Sequence, residues 1–327
     1  MNKLWTPIAH RIVQGLGVQP GELINVRDDT GNLAVLLETM LAIERVGATP
    51  LPQLTPAAYM QRLWTEAPQD YLAQWDQHRG TWMHQIDRIV VLAGARPDFD
   101  QIPQEAFATW QEAEHRLSII EEERRLPYLL VAIPTEQRAQ QLGLSLESLE
   151  AMLLPALGAS IEELQREISQ VLKIAQDGQM ITIRSGDGHE LRMVHGNRRW
   201  LSDDGYIDAT DQSQGAIVSN LPAGSIYTTV LEDQTEGSLW LPRADQATDV
   251  VLHFNGGRIT RIEASSGAEA LTAELDSHSG EPRRVGHIGL GLNPYLDRPI
   301  GWTLVDEHVH GHVFISLGEN RYMGWPE

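Results

Sequence analysis

Residues 22–47, ELINVRDDTGNLAVLLETMLAIERVG, decide how the first half of the chain folds. Glu22 to Val26 is a short apolar run of the kind a buried strand takes, and Asp28-Asp29-Thr30 offers side chains to cap a helix that begins near Gly31. That helix carries Leu33, Val35, Leu36, Met40, Leu41 and Ile43 mostly on one face and stops at Gly47. The pattern recurs downstream. Arg88 to Ala93 (RIVVLA) and Leu129 to Ile133 (LLVAI) read as strands, and between them Glu105–Arg125 reads as a helix. Further helices are expected from Pro56 to Trp64, over Glu136–Leu142 after Pro134-Thr135, around Leu146–Leu154 behind a Ser145 cap, and over Ile161–Ala175. Strand–helix alternation predicts right-handed βαβ crossovers and a mainly parallel sheet.

From Gln179 the texture changes to period two. Met180–Arg184 alternates, Gly186-Asp187-Gly188 turns, and Glu190–Val194 returns. Ile226–Leu231, Gly237–Leu241, Asp249–Phe254 and Arg258–Ala264 are further strands, the last two joined by Asn255-Gly256-Gly257. Residues 266–276 read as a helix and Glu307–Leu317 as the final strand. The fold class expected is therefore α/β: a parallel α/β domain over residues 1–177, then a β-rich α+β domain over 178–327.

Composition narrows the chemistry. The 327 residues are 42% hydrophobic, too apolar for a disordered chain, and contain no Cys. That excludes disulfides, a thiolate nucleophile, zinc ribbons and iron–sulfur clusters, so any metal must be held by His, Asp, Glu or Tyr. With 25 Lys and Arg against 45 Asp and Glu the net charge is −20, which argues against nucleic acid or an anionic membrane as a partner. No apolar run reaches the ~20 residues that span a bilayer, and MNKLWTPIAHRIVQGLGV lacks the apolar core and cleavage site of a signal peptide. A soluble, cytoplasmic protein is expected. Of 12 His, eight fall between His189 and His312.

Three stretches concentrate the candidate chemistry. In Asp306–Phe314 (DEHVHGHVF), alternation along a strand puts His308, His310, His312 and Phe314 on one face, and Glu307 on the other. An H-x-H pair on a strand can direct two imidazoles at one Fe, Zn, Ni or Cu ion, with a third ligand from elsewhere; the plain alternative is a solvated strand face. Gly286–Pro294 (GHIGLGLNP) is glycine-rich but lacks the Lys-Ser/Thr end of a phosphate loop, so its glycines serve a tight bend or close approach of the backbone to a ligand, with His287 a further ligand or a buried histidine. Asn220–Thr229 (NLPAGSIYTT) is a Pro/Gly turn into a strand; Ser225 has no base beside it and no G-x-S-x-G surrounds it, which excludes a serine hydrolase. Tyr227 and Tyr322 are candidate pocket residues.

Taken in order, Asn220–Thr229, the Phe254–Ile262 hairpin, His287–Pro294 and Asp306–Gly318 resemble the aminopeptidase T/aminopeptidase S metallopeptidases. The resemblance implies that family's fold, a homodimer and a centre of two metal ions. It also implies that the family's ligands, two Glu, a His and a closing H-x-D pair, correspond here to Ser225, His287 and Phe314, with no H-x-D matched within the sequence. Gly286–Pro294 is closer to the G-H-I-G-x-G-x-N-P motif of the 2,5-dihydroxypyridine dioxygenases, a branch similar in fold, in which the His holds Fe(II).

The expectation drawn from both lines is a mononuclear site of His287 with two of His308, His310 and His312, with Ser225, Tyr227, Glu307, Phe314 and Tyr322 lining it. The metal expected is Fe(II), with Zn or another divalent ion as the alternative. The activity expected is a non-haem oxygenase acting on a small aromatic or amino-acid-derived molecule. Two alternatives stand beside it: a divergent aminopeptidase-like metallohydrolase, and a non-catalytic ligand-binding descendant of the same fold.

Overall fold

The structure is a computed structural model that describes residues 4–244, 247–278 and 280–318. In chain order the strands are β1 (Leu23–Asp28), β2 (Thr49–Leu54), β3 (Arg88–Ala93), β4 (Tyr128–Ala132), β5 (Met180–Ser185), β6 (His189–Val194) and β7 (Leu201–Asp203). They continue as β8 (Val218–Leu221), β9 (Ser225–Thr228), β10 (Thr235–Ala244), β11 (Ala247–Asn255), β12 (Arg258–Glu263), β13 (Val285–Gly291) and β14 (Val313–Leu317).

The chain divides into two compact units, and not at a single point. One unit comprises the chain up to Gln165 together with Asp203–Gly224 and Asn293–His310; the other comprises Arg166–Ser202, Ser225–Leu292 and the chain from Gly311 on. A single boundary near 177 does not describe this division, because two later segments return to the first unit.

The first unit is built on a five-stranded sheet of order β2-β1-β3-β4-β8, parallel throughout. Its core joins helices Trp5–Leu16, Leu33–Val46 and Leu146–Leu157 to the strands through Ile12, Leu16, Val26, Ile43, Leu129 and Leu153, all fully buried. β2 has the sequence TPLPQL, whose prolines hide it from strand-propensity reasoning. It lies at the edge of the sheet, where a residue without an N–H can be accommodated. The turn after β1 also differs from expectation. Asp28 accepts hydrogen bonds from the Thr30 N–H and hydroxyl, Thr30 Oγ1 accepts from Asn32 N, and Asn32, not the Asp28-Asp29-Thr30 triplet, caps helix Leu33–Val46 by accepting from Ala34 N. Ser145 caps its helix as expected, and Thr135 caps helix Glu136–Gln141 in the same way.

The second unit carries an antiparallel sheet β12-β11-β10-β6-β5 and a second sheet β14-β13-β9-β7 in which β14, β13 and β9 pair antiparallel. Leu191, Met193, Val250, Phe254 and Val285 are among its buried core residues. The helix expected over 266–276 forms as Ala268–Ser277.

Two expectations are corrected here. Gly286–Gly291 is not a tight bend; it belongs to β13. The last strand does not begin at Glu307. A short helix occupies Thr303–Asp306, a turn follows, and β14 starts only at Val313. The cause is local: Asp306 accepts from the N–H groups of Ile300 and Gly301, winding the segment back on itself, and Gly311 adopts φ 76°, far from the extended backbone of a regular strand. The alternation that would align His308, His310 and His312 is therefore absent. Among the described residues no helix is long and apolar enough to cross a membrane.

Candidate functional site

In the second unit, β9, β13 and β14 place four of the sequence's candidates on one face. Tyr227 pairs with Gly289, Gly289 with Phe314, and Ser225 with Gly291. Period-two alternation then puts Ser225, Tyr227, His287 and Phe314 on the same side. The His287 ring lies 6.0 Å from that of Tyr227 and 5.9 Å from that of Phe314, the latter edge-on. Gly289 explains how the rings fit. A Cβ there would stand 2.1 Å from Phe314 Cζ and 2.7 Å from the Ile226 carbonyl oxygen, so the absent side chain is the space the phenyl ring fills. Burial lowers the His287 pKa and keeps the imidazole neutral. Ser225 is 2% exposed.

His308 and Glu307 sit in the first unit. His308 is 1% exposed, and its Nε2 is 3.9 Å from Asp203 Oδ2. Burial lowers its pKa, against the opposing pull of Asp203 and of a hydrogen bond to the Gly224 backbone. Glu307 is pushed up to about 7 by burial first, then by Asp203 and Asp306. His310 and His312 are exposed on either side of Gly311, and Tyr322 lies outside the described residues.

Sequence reasoning passed over Asp203, which reads only as part of an Asp-Asp-Gly turn. The turn is real, since Asp203 Oδ1 accepts from Gly205 N. The same carboxylate also takes the Ser219 hydroxyl and the Asn220 side-chain amide, which makes it a buried junction between the turn and β8. No local signal announces partners 16 and 17 residues away. By contrast His195 is a satisfied core histidine, bonded to the Gly178 carbonyl and the Thr228 hydroxyl and stacked on Trp200.

The donors at the positions matched to the family's ligands do not fit a pair of divalent cations. A dinuclear hydrolytic centre needs carboxylates to bridge and neutralise two dications, and the three matched positions offer a serine hydroxyl, one imidazole and a phenyl ring. Among the described residues, no group of three or more His, Asp or Glu gathers in a way that would hold a metal ion.

A parallel α/β unit joined with an antiparallel unit whose matched ligand positions share one three-stranded face defines an aminopeptidase T-type architecture. The solved structure of wild-type AmpT from Thermus thermophilus is similar over 95% of this chain and 84% of that one, with a TM-score of 0.72 at 18% identity. The chain belongs to the thermophilic metalloprotease (M29) family, whose sequence profile matches residues 8–321. A second solved structure, the α-aminoadipate aminotransferase LysN, also from Thermus thermophilus, overlaps 58% of this chain and 60% of that one at 11% identity, but its TM-score of 0.22 carries no argument. No curated protein sequence matches the chain.

These findings overturn the oxygenase reading. The family that matches nearly the whole chain is a metalloprotease family, and the solved fold it shares is that of AmpT. One G-H-I-G-x-G-x-N-P stretch does not outweigh a match over residues 8–321. The dioxygenase expectation therefore falls.

Proposed function

We propose that this chain is a divergent member of the metalloprotease family that uses the aminopeptidase frame to bind a small molecule and does not carry a paired-metal peptidase centre. One observation supports the reading above all: Ser225, His287 and Phe314 occupy one face of β9, β13 and β14, and this set lacks the carboxylates that two dications need. Phe314 is also packed into the gap left by Gly289, so the replacement is built into the sheet. The homodimer implied by the resemblance is part of this proposal, and light scattering of the purified protein tests it.

A second reading, a hydrolase with a rebuilt site, is favoured by the first unit's Asp203, Glu307 and His308. A carboxyl near neutrality beside a buried imidazole is a combination more often seen at working sites than in cores.

Metal analysis and assays on aminoacyl reporter amides with Zn²⁺, Co²⁺ or Mn²⁺ separate the two. The ligand-binding reading expects substoichiometric metal and no turnover. Metal-dependent cleavage that His287→Ala or Glu307→Gln abolishes would replace it with the rebuilt hydrolase. Restoring the matched donors in a Ser225→Glu, His287→Glu, Phe314→His triple variant is expected to raise metal uptake above the wild type.

A further inference from the structure

The strand order β2-β1-β3-β4 places a reversal between β1 and β3. The chain leaves β1 toward one side of the sheet and re-enters at β3 on the other, so the connections after these strands diverge. In open parallel sheets the crevice outside the carboxyl ends at such a switch point is where ligands bind. In this chain it holds a cavity of about 460 Å³, within the ~300–1,000 Å³ range of small-molecule sites.

Asp29 follows β1, Thr55 follows β2 and Gly94–Arg96 follow β3, and all line the cavity. One wall is aromatic and comes from the segment between β2 and β4. The Trp64 ring lies 5.0 Å from both Phe107 and Trp110, and Phe99 lies 5.4 Å from Phe107. Phe99 is 43% exposed and marks the open side. The indole N–H groups of Trp64 and Trp110 are buried with no hydrogen-bond partner, an unfavourable state that an acceptor on a ligand would relieve.

The opposite side carries charge. Arg138 donates twice to the Gly94 carbonyl, at 3.0 and 2.7 Å, and lies over the Trp302 ring at 4.5 Å. Gln141 holds the backbone of Arg96 from both its N–H and its carbonyl, at 3.3 and 2.8 Å. Among the described residues neither guanidinium makes an ion pair with a carboxylate. Burial first, then the charge of Arg96, lowers the Arg138 pKa to about 10. Deeper in, Asp29 accepts from the Thr55 hydroxyl and Glu114 from the Trp75 indole, each at 2.7 Å, and burial pushes both carboxyls up. These two face a ligand as acceptors for an N–H or O–H.

We propose that the crevice binds a small planar aromatic acid, its carboxylate on Arg96 and Arg138, its ring on the Trp64–Phe107–Trp110 wall, and a ring N–H or O–H toward Asp29 and Glu114. Charge-assisted bonds from guanidinium to carboxylate supply orientation, and ring stacking supplies contact area. The proposal deepens the ligand-binding reading and can fail separately from it. Metal-dependent peptide cleavage would sink that reading and leave binding in this cavity untouched.

Calorimetric titration of the full chain with indole-3-carboxylate, and with tryptamine as the cationic counterpart, tests it. The wild type is expected to bind the acid saturably at one site per chain and to bind tryptamine at least tenfold more weakly. Arg96 is exposed, so Arg96→Glu leaves the core intact, which a thermal melt checks, and it is expected to weaken the acid by about tenfold or more. Arg96→Gln is expected to move affinity the same way by less. No saturation with the acid, equal affinity for tryptamine, or an unchanged affinity in both Arg96 variants overturns the proposal.

Discussion

The molecule holds two aromatic clusters that share composition and differ in closure. On the β9–β13–β14 face, Tyr227, His287 and Phe314 lie against a bare glycine, and a missing side chain on one strand is filled by a ring from the next. At the carboxyl ends of the parallel strands, Trp64, Phe99, Phe107 and Trp110 come from helices and loops outside the sheet and leave a cavity between themselves and the strand ends. Aromatic enrichment alone therefore says little about function. A sheet face closes because neighbouring strands hold their side chains about 5 Å apart, whereas helices standing off a strand end have no such fixed spacing. The closed cluster is a solution to packing; the open one, edged with arginines and carboxyls, is suited to an occupant.

The largest effect is expected from breaking the open cluster at its centre. Trp64 is 3% exposed and meets Phe99, Phe107 and Trp110, so Trp64→Ala should cost about 3–5 kcal/mol in urea unfolding. A loss below about 1 kcal/mol would mean that the wall is already loose and that the cavity has no fixed shape. Next comes the closed cluster. Gly289→Ala drives a methyl into Phe314 and the Ile226 carbonyl and should cost about 1–3 kcal/mol. In a Phe314→Ala background the ring is gone and the same substitution should cost less, with the Ile226 contact accounting for what remains. Equal costs in the two backgrounds would show that the backbone contact, not the ring, makes glycine necessary.

How much of this was legible in the sequence follows from the range of the forces involved. β3 and helix Ile161–Ala175 form over the residues expected because apolar periodicity is a local signal. β2 escaped because its tolerance of Pro50 and Pro52 depends on being an edge strand, which is a property of the sheet. The histidine row failed for a related reason. His308, His310 and His312 alternate on paper, but the Asp306 bonds to Ile300 and Gly301 and the positive φ of Gly311 decide the backbone, and a period-two count contains neither. The grouping of Ser225, Tyr227, His287 and Phe314 was reachable only through the resemblance, because register between strands far apart in the chain leaves no mark in either segment. The switch-point cavity had no signal at all, since several separated segments meet to make it.

The smallest effect is also the most diagnostic of the difference between the clusters, because it tests whether the open one holds a carboxyl at a cost. Glu114 is half-buried, and burial, the largest influence on it, raises its pKa above the usual 4.5 despite the opposing pull of Arg27 and the Trp75 indole. A group whose folded-state pKa is raised favours the folded protein below its unfolded pKa, and that contribution is lost as pH rises through the folded value. Glu114→Gln keeps an oxygen to accept from Trp75 Nε1 and removes the ionisation. The variant should therefore match the wild type near pH 4 and become the more stable of the two as pH rises above the ordinary carboxylate range. Melting temperatures measured from pH 4 to 8 read this directly. Arg79, Arg27 and Glu121 also act on the group, and they remain unchanged in the variant, so the difference between the two curves isolates Glu114. A gap of the opposite sign would mean that Arg27 outweighs burial, that Glu114 is held as a settled carboxylate, and that the cavity has less need of a ligand donor than proposed.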